Sequence, residues 1–309
     1  MVDNKTEGLI AAPLTAYHPD GTVNLDIIPS YADFLHSNGV VGVFVNGTTG
    51  EGLSLTVEER MAIAQRWVKA APADFRVIVH VSHTCAASAW DMARHATRIG
   101  AWGIGQMGPI FFRPNNVEEL ADYAAQTAAQ APELAYFYYH MPSMSGVCFP
   151  MLEFLKAAAP VIPNLAGIKY THEDLVDFEL CRQFKEGKYD ILYGRDETLL
   201  CALALGCRGA VGSTYNIMAP LYRRLIDAFD SGNLNEARRL QDLSMRVIRS
   251  LAQTTSFISA LKAVMNMIGL NVGNVRSPLK NIGPAKAAEL KNRLEELGFF
   301  EFCSKQPSV

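Results

Sequence analysis

The chain has 309 residues, 49% of them hydrophobic, and its 28 basic and 31 acidic side chains leave a formal charge of −3. That length holds one large domain or two medium ones. The near-neutral balance excludes the broad basic footprint of a nucleic-acid or anionic-membrane partner, leaving small molecules, which need only local charge.

The start, residues 1–6, is polar and has no apolar core of a secretory signal, and no later stretch approaches the about 20 apolar residues of a membrane span. The six cysteines (85, 148, 181, 201, 207 and 303) include no C-x-x-C pair. They read as reduced thiols of a cytoplasmic protein rather than as a disulfide frame or zinc site.

Eight apolar runs with strand character follow, at 8–16, 40–47, 76–83, 101–109, 135–142, 165–171, 190–197 and 208–216. Helical periodicity fills most gaps, at 25–38, 57–70, 88–99, 117–130, 151–159 and 174–186, with another helix from about Pro220. Thr56 with Glu59 forms a capping box, and Asn116 caps a similar start. Eight strand–helix units in just over 200 residues predict parallel strands in an α/β (β/α)8 TIM barrel, with an open α/β sheet as the alternative. After about residue 231 the strands stop, and 234–268 and 284–297 read as long amphipathic helices joined by an irregular stretch. The expected organisation is a barrel over 1–231 with a C-terminal helical region, 232–309, packed on it.

In such a barrel the site lies at the C-terminal strand ends. After the second strand, Gly47-Thr48-Thr49-Gly50-Glu51-Gly52 sets two hydroxyls among flexible glycines, reading equally as a plain tight βα turn or as one suited to a carboxylate, and it lacks the Gly-Lys-Ser/Thr ending of a nucleotide loop. The fifth strand ends in Tyr136-Phe137-Tyr138-Tyr139, where the first three read as packing and Tyr139 as a proton shuttle. The seventh ends in Gly194-Arg195-Asp196-Glu197, adjacent carboxylates able to bind a polyol but taken alone more often a solvated turn, and the eighth in Gly212-Ser213-Thr214. Gly103-Ile104-Gly105-Gln106-Met107-Gly108 matches a dinucleotide fingerprint only in letters, because its glycines fall within a strand. His80 and His83 fall on opposite strand faces, the wrong arrangement for one metal. His140 and His172 sit near strand ends, where a satisfied hydrogen-bonding role is expected. No cluster predicts a metal site.

Lys169, in Leu165-Ala166-Gly167-Ile168-Lys169-Tyr170-Thr171, is the lysine that falls inside an apolar strand pattern. Burial disfavours an ammonium, and a neutral amine attacks carbonyls, so this is a candidate Schiff-base lysine. Taken alone the stretch reads more readily as an edge strand with its charge in water, and the rest of the chain reverses that order. Lys262 falls in the C-terminal helices, where a long stem can snorkel to solvent.

The ordered set Gly47-Thr-Thr-Gly-Glu51, Tyr139 with Pro142 and Gly146, and Gly167-Ile-Lys169 resembles the dihydrodipicolinate synthase / N-acetylneuraminate lyase family of class I aldolases. The likeness runs over nearly the whole chain, and Tyr138–Gly146 and Val211–Asn216 are most similar to its sialate-cleaving branch. The resemblance implies a homotetramer that reversibly cleaves N-acetylneuraminate to pyruvate and N-acetylmannosamine with no metal or organic cofactor. It implies Lys169 as the Schiff-base residue and Tyr139 as the proton shuttle. Thr48 and Thr49 would hold the pyruvyl carboxylate, Thr171 would lie near the reacting hydroxyl, and Gly194, Asp196, Glu197 and Ser213 would bind the sugar chain. Two positions depart from the family pattern. Met144 stands where the synthases carry an arginine for a second carboxylate, and Phe111 and Phe112 stand where an interface tyrosine is found. The alternatives left open are an aldolase for another 2-keto-3-deoxy sugar acid and a non-catalytic sugar-acid-binding relative.

Overall fold

A computed structural model describes residues 5–307, and the rest of the polar start, residues 1–4, lies outside the described residues. Eight parallel strands close into a barrel in sequence order: β1 (Gly8–Ala11), β2 (Val40–Val45), β3 (Arg76–His80), β4 (Gly103–Met107), β5 (Ala135–His140), β6 (Leu165–Tyr170), β7 (Asp190–Tyr193) and β8 (Gly209–Gly212). β1 closes on β8 with Leu9 opposite Ala210 and Ile10 opposite Val211. The helices of the barrel are α1 (Ile28–Ser37), α2 (Val57–Ala70), α3 (Ala86–Arg98), α4 (Val117–Ala128), the short α5 (Pro142–Ser145), α6 (Met151–Ala158), α7 (Leu175–Gly187), α8 (Leu199–Ala204) and α9 (Tyr215–Asp230). Then come α10 (Leu234–Ala252), α11 (Phe257–Met267), α12 (Pro284–Glu296) and α13 (Phe299–Phe302).

Alternation along each strand divides the core in two. One set of side chains, among them Ile10, Phe44, Ile78, Phe137, Tyr139 and Leu192, fills the barrel interior. The other set packs outward against the helices in one cluster that continues through Leu240, Val247, Leu261 and Leu290 of the C-terminal helices.

Helix starts are secured locally. Thr56 and Glu59 complete the expected capping box on α2, and Asn116 caps α4. The start of α6 borrows its cap instead: Asp177 of α7 accepts from the Met151 and Leu152 amides at 2.8 and 3.0 Å. This removes two of the orphan donors every helix start exposes.

Three features differ from the sequence-based expectation. The strands are shorter, because residues such as Leu14, Ala16 and Val81 are buried in loops rather than in the ladder. The helix expected over 234–268 is two, α10 and α11, since the Thr254 hydroxyl turns back onto Leu251 O and Ser256 starts a new helix in extended conformation. α9 begins at Tyr215, ahead of Pro220, and kinks at Met218.

Candidate active site

Lys169 enters the barrel from β6 and is 4% exposed. Its neighbours are rings. Nζ lies 3.8 Å from the centroid of Tyr139 on β5 and 4.2 Å from that of Phe44 on β2. Among the described residues it forms no ion pair. Aromatic faces stabilise a cation at this spot by roughly 0.5–2 kcal/mol. They offer an iminium the same support without a carboxylate to neutralise it.

Gly105 explains how Phe44 comes to lie there. A Cβ at Gly105 would stand 2.6 Å from the Phe44 ring, so the bare glycine of β4 makes room for it. The letters that imitate a dinucleotide fingerprint are therefore a packing requirement of the barrel interior.

The Tyr139 hydroxyl donates to Met141 Sδ at 3.0 Å and lies 3.4 Å from Thr48 Oγ1. Thr48 is half-buried and Thr49 is 8% exposed; both ride on the tight winding of residues 46–52 that follows β2. Its ends, Asn46 and Glu51, hold left-handed φ angles of 60° and 54°, uncommon for residues with side chains and a sign of outside restraint. The Asn46 amide donates to Arg60 O at 2.9 Å, and Asn46 O sits 2.9 Å from His80 Nδ1.

His80, set aside as half of a metal pair, lies within this interior. Its ring centroid is 5.8 Å from that of Tyr139 and 5.7 Å from that of Phe44. Burial, aided by the Arg60 charge, pushes its pKa down to about 3, so the imidazole is neutral. With Nδ1 donating to Asn46 O, Nε2 is a buried lone pair that has no protein partner.

Around the rim, Thr171 follows β6 directly, and its buried Oγ1 has no hydrogen-bond partner. Gly194 lets it fit, since a Cβ there would come within 2.0 Å of that hydroxyl. The two adjacent carboxylates part company. Asp196 is 5% exposed, and its Oδ2 accepts from Thr214 N at 2.8 Å and Thr214 Oγ1 at 2.6 Å. Burial lifts its pKa to about 6 against the pull of those two bonds. Glu197, 35% exposed, is held by Arg195 at 2.8 Å, which also grips Glu173 at 3.1 Å. Half-buried Ser213 follows β8, where its carbonyl accepts the Asn216 side-chain amide at 2.6 Å.

Some expected features fall elsewhere. His140 and His172 meet edge to face at 5.3 Å, and His140 also packs on Tyr170 at 5.1 Å. The satisfied hydrogen-bonding role expected of His140 is not met, because its buried Nδ1 has no partner. Phe111 and Phe112 are 77% and 84% exposed in the loop after β4, and Met144 on α5 is 56% exposed. Sequence reading passed over Phe44, His80, Arg195 and Thr214. It also placed Lys262 at the surface, whereas it is 2% exposed and ion-paired at 2.8 Å with Glu51. One signal was available: Lys262 is the single charge of the mostly apolar helix Phe257–Met267. Among the described residues no cluster of three or more His, Cys, Asp or Glu is arranged to hold a metal, and no helix is long and apolar enough to cross a membrane.

The chain is similar to known proteins over nearly its whole length. The chain is 39% identical over 297 residues to the N-acetylneuraminate lyase of Gallus gallus, covering 95% of this chain and 96% of that one. The solved structure of Proteus mirabilis N-acetylneuraminate lyase superposes with a TM-score of 0.93 at 39% identity, covering 96% of this chain and all of that one. The N-acetylneuraminate lyase (sialic acid aldolase) of Aliivibrio salmonicida gives 0.93 at 37% identity, covering 96% of this chain and 98% of that one. The sequence profile of the Dihydrodipicolinate synthetase family matches residues 5–297. With a barrel of the same connectivity, and with a buried lysine, tyrosine and threonine turn meeting inside it, the chain belongs to that family.

Proposed function

We propose that the chain is a Schiff-base aldolase that reversibly cleaves N-acetylneuraminate into pyruvate and N-acetylmannosamine. The observation that carries this reading is Lys169, buried among aromatic faces and 3.8 Å from the ring of a tyrosine whose hydroxyl reaches the Thr48–Thr49 turn. The full-length relatives bearing the lyase name support the choice of sialate.

The chemistry follows from these groups. The unprotonated Lys169 amine adds to the C2 ketone of the open-chain substrate, and loss of water leaves an iminium. Thr48 and Thr49 hold the neighbouring carboxylate, which fixes the carbonyl against the amine as a proximity effect. The Tyr139 oxygen takes the C4-hydroxyl proton as its own hydroxyl proton passes to the substrate carboxylate. The C4 oxygen then forms the aldehyde, the C3–C4 bond breaks, and its electron pair moves into the iminium to give an enamine. Return of a proton to C3 and hydrolysis of the iminium release pyruvate and the free lysine. Asp196, Glu197, Ser213 and the space over Gly194 serve the sugar chain, and the Thr171 hydroxyl serves the reacting oxygen.

The chain is further read as a homotetramer, which the exposed pair Phe111 and Phe112 supports as an apolar contact between copies. Sedimentation gives the mass directly.

The test is to incubate the protein with pyruvate and borohydride and to map the adduct by mass spectrometry. A reduced pyruvyl adduct on Lys169, with release of N-acetylmannosamine from sialate in a coupled assay, is the expected result. Labelling elsewhere sinks the mechanism. Labelling without sialate cleavage, but with turnover of another 2-keto-3-deoxy sugar acid, moves the substrate.

A further inference from the structure

The mechanism leaves one buried ion pair unused. Lys262 of α11 and Glu51 of the threonine turn are each 2% exposed at their side chains, with Nζ 2.8 Å from Oε1. Lys262 also donates to Asn274 O at 2.5 Å and lies 4.2 Å from the centroid of Tyr17. Glu51 Oε2 accepts from the Arg276 amide at 2.9 Å. The Arg276 guanidinium lies 4.5 Å from the Tyr17 centroid and grips both oxygens of Glu59, at 2.7 and 2.6 Å. A carboxylate from the β2 loop is thus tied to two points of the C-terminal region.

This tie acts on the segment that carries Thr48 and Thr49. The Glu51 amide donates to Thr48 O at 3.1 Å, Gly52 N to Gly47 O at 3.1 Å, and Thr15 Oγ1 to Gly50 O at 2.6 Å. Gly52 leaves no slack, since a Cβ there would stand 1.8 Å from Asn46 O. Glu51 holds a left-handed φ of 54° with its carboxylate tied at both oxygens, and a buried carboxylate stripped of its cation is strongly disfavoured. Movement of Glu51 would pass straight into the two threonines.

We propose that Lys262 is a positioning residue which, through Glu51, holds the 47–51 turn in the shape that presents Thr48 and Thr49 to the carboxylate of the 2-keto acid. The proposal rests on the aldolase reading. It assigns a part in substrate binding to a helix outside the barrel, and it predicts a pH response. The titratable and charged groups facing Lys262 are Glu51, Tyr17 and Arg276, with Glu59 behind them. Burial lowers the Lys262 pKa to about 8, opposed by the pull of Glu51. Tyr17 is pushed well above its usual value by burial, and Arg276 is raised by Glu59, so neither changes charge near pH 8–9. Above about pH 8 the ammonium is lost and the Glu51 carboxylate is left uncompensated. Affinity for the keto acid should then fall.

The experiment measures the pyruvate concentration that half-saturates borohydride trapping at Lys169, from pH 7 to 9.5, in the full chain and in Lys262→Arg and Lys262→Met. In the unaltered chain this concentration should rise about tenfold across the range, as the charged fraction falls. Lys262→Arg, whose guanidinium stays charged, should be flat. Lys262→Met should be raised about tenfold at every pH, with the KM for N-acetylmannosamine in the condensation reaction changed less than about twofold. A flat profile in the unaltered chain overturns the proposal, and that measurement needs no variant to fold. An alkaline rise retained in Lys262→Arg, or ordinary half-saturation in Lys262→Met, overturns it as well. Absence of any adduct on Lys169 would instead overturn the aldolase reading, and this inference with it.

Discussion

Lys169 and Tyr139 are partners in strand register, facing each other across β5 and β6 with the amine 3.8 Å from the ring centroid. The Tyr139 hydroxyl contacts Met141 Sδ and Thr48. The ring and its oxygen therefore have separable duties. The ring flanks the nitrogen, and under the proposed mechanism the oxygen would move protons near the threonine turn. Tyr139→Phe keeps the first and deletes the second. Borohydride trapping of pyruvate at Lys169 should survive, while sialate cleavage should drop by roughly a hundred- to ten-thousand-fold, the usual contribution of a positioned acid–base group. Equal loss of trapping and cleavage would mean that the hydroxyl serves imine formation too.

Thr171 offers a second separation of fold from function. Its hydroxyl is buried without a partner, and native proteins rarely leave such a group unless it has work to do. Thr171→Val has nearly the same shape and removes the unmet donor. Its stability in urea should match or exceed the parent by up to about 1 kcal/mol. Cleavage should fall, with kcat affected more than trapping of pyruvate. If Thr171→Val unfolds more easily, the hydroxyl has a structural partner in the folded chain.

The fate of Thr171, Lys169 and Lys262 also marks what the sequence makes legible. The barrel was readable because strand and helix periods alternate eight times and because period two places Gly167, Lys169 and Thr171 on one face. Lys262 was not, since in a helix as apolar as Phe257–Met267 no face is marked as outside. Its partner lies 211 positions earlier, in a turn whose Glu51 looks like an ordinary loop carboxylate. Phe44 and His80 were hidden for a different reason. A ring in a strand has the same signature whether it lies under a lysine or under a helix, and Gly105, which makes room for Phe44, imitated a nucleotide motif. Strand ends were overextended because apolar loop residues such as Leu14 and Val81 are buried much as strand residues are.

Asp196 and Glu197 lead to a specificity prediction. Asp196 has one oxygen committed to Thr214 and the other lying over Gly212, and Glu197 is braced by Arg195. Under the proposed function both would serve the sugar side of the substrate. Glu197→Gln should raise the KM for sialate about tenfold, the loss of one charged hydrogen bond, and leave pyruvate trapping unchanged. Arg195→Ala should reproduce part of that effect by freeing Glu197. An equal rise in the pyruvate requirement would place Glu197 on the wrong half of the substrate.

The buried histidines set the response of stability to acid. Burial lowers the pKa of His80 and of His140 to about 3, with Arg60 assisting at His80 and His172 at His140. An unfolded histidine titrates near about 6.5. Between those values the unfolded chain binds protons that the folded chain refuses, so the stability is complete above about pH 6.5 and is lost as the pH falls toward 3. Asp196 works in the opposite sense. Its folded pKa of about 6 exceeds the ordinary carboxyl value, so between roughly pH 4 and 6 the folded state holds the extra proton and gains on acidification. Asp190, raised by burial as well, acts with Asp196, and His95, lowered by burial, acts with the other two histidines; each of His80 and His140 contributes up to about 1.4 kcal/mol per pH unit. His140→Phe preserves a flat ring among Tyr138, Tyr170 and His172 and removes one titrating group. Urea unfolding at pH 7.0, 5.5 and 4.5 should therefore show a shallower acid decline in His140→Phe than in the parent, by about that amount per unit. Parallel declines in the two proteins would mean that His140 takes up its proton while folded.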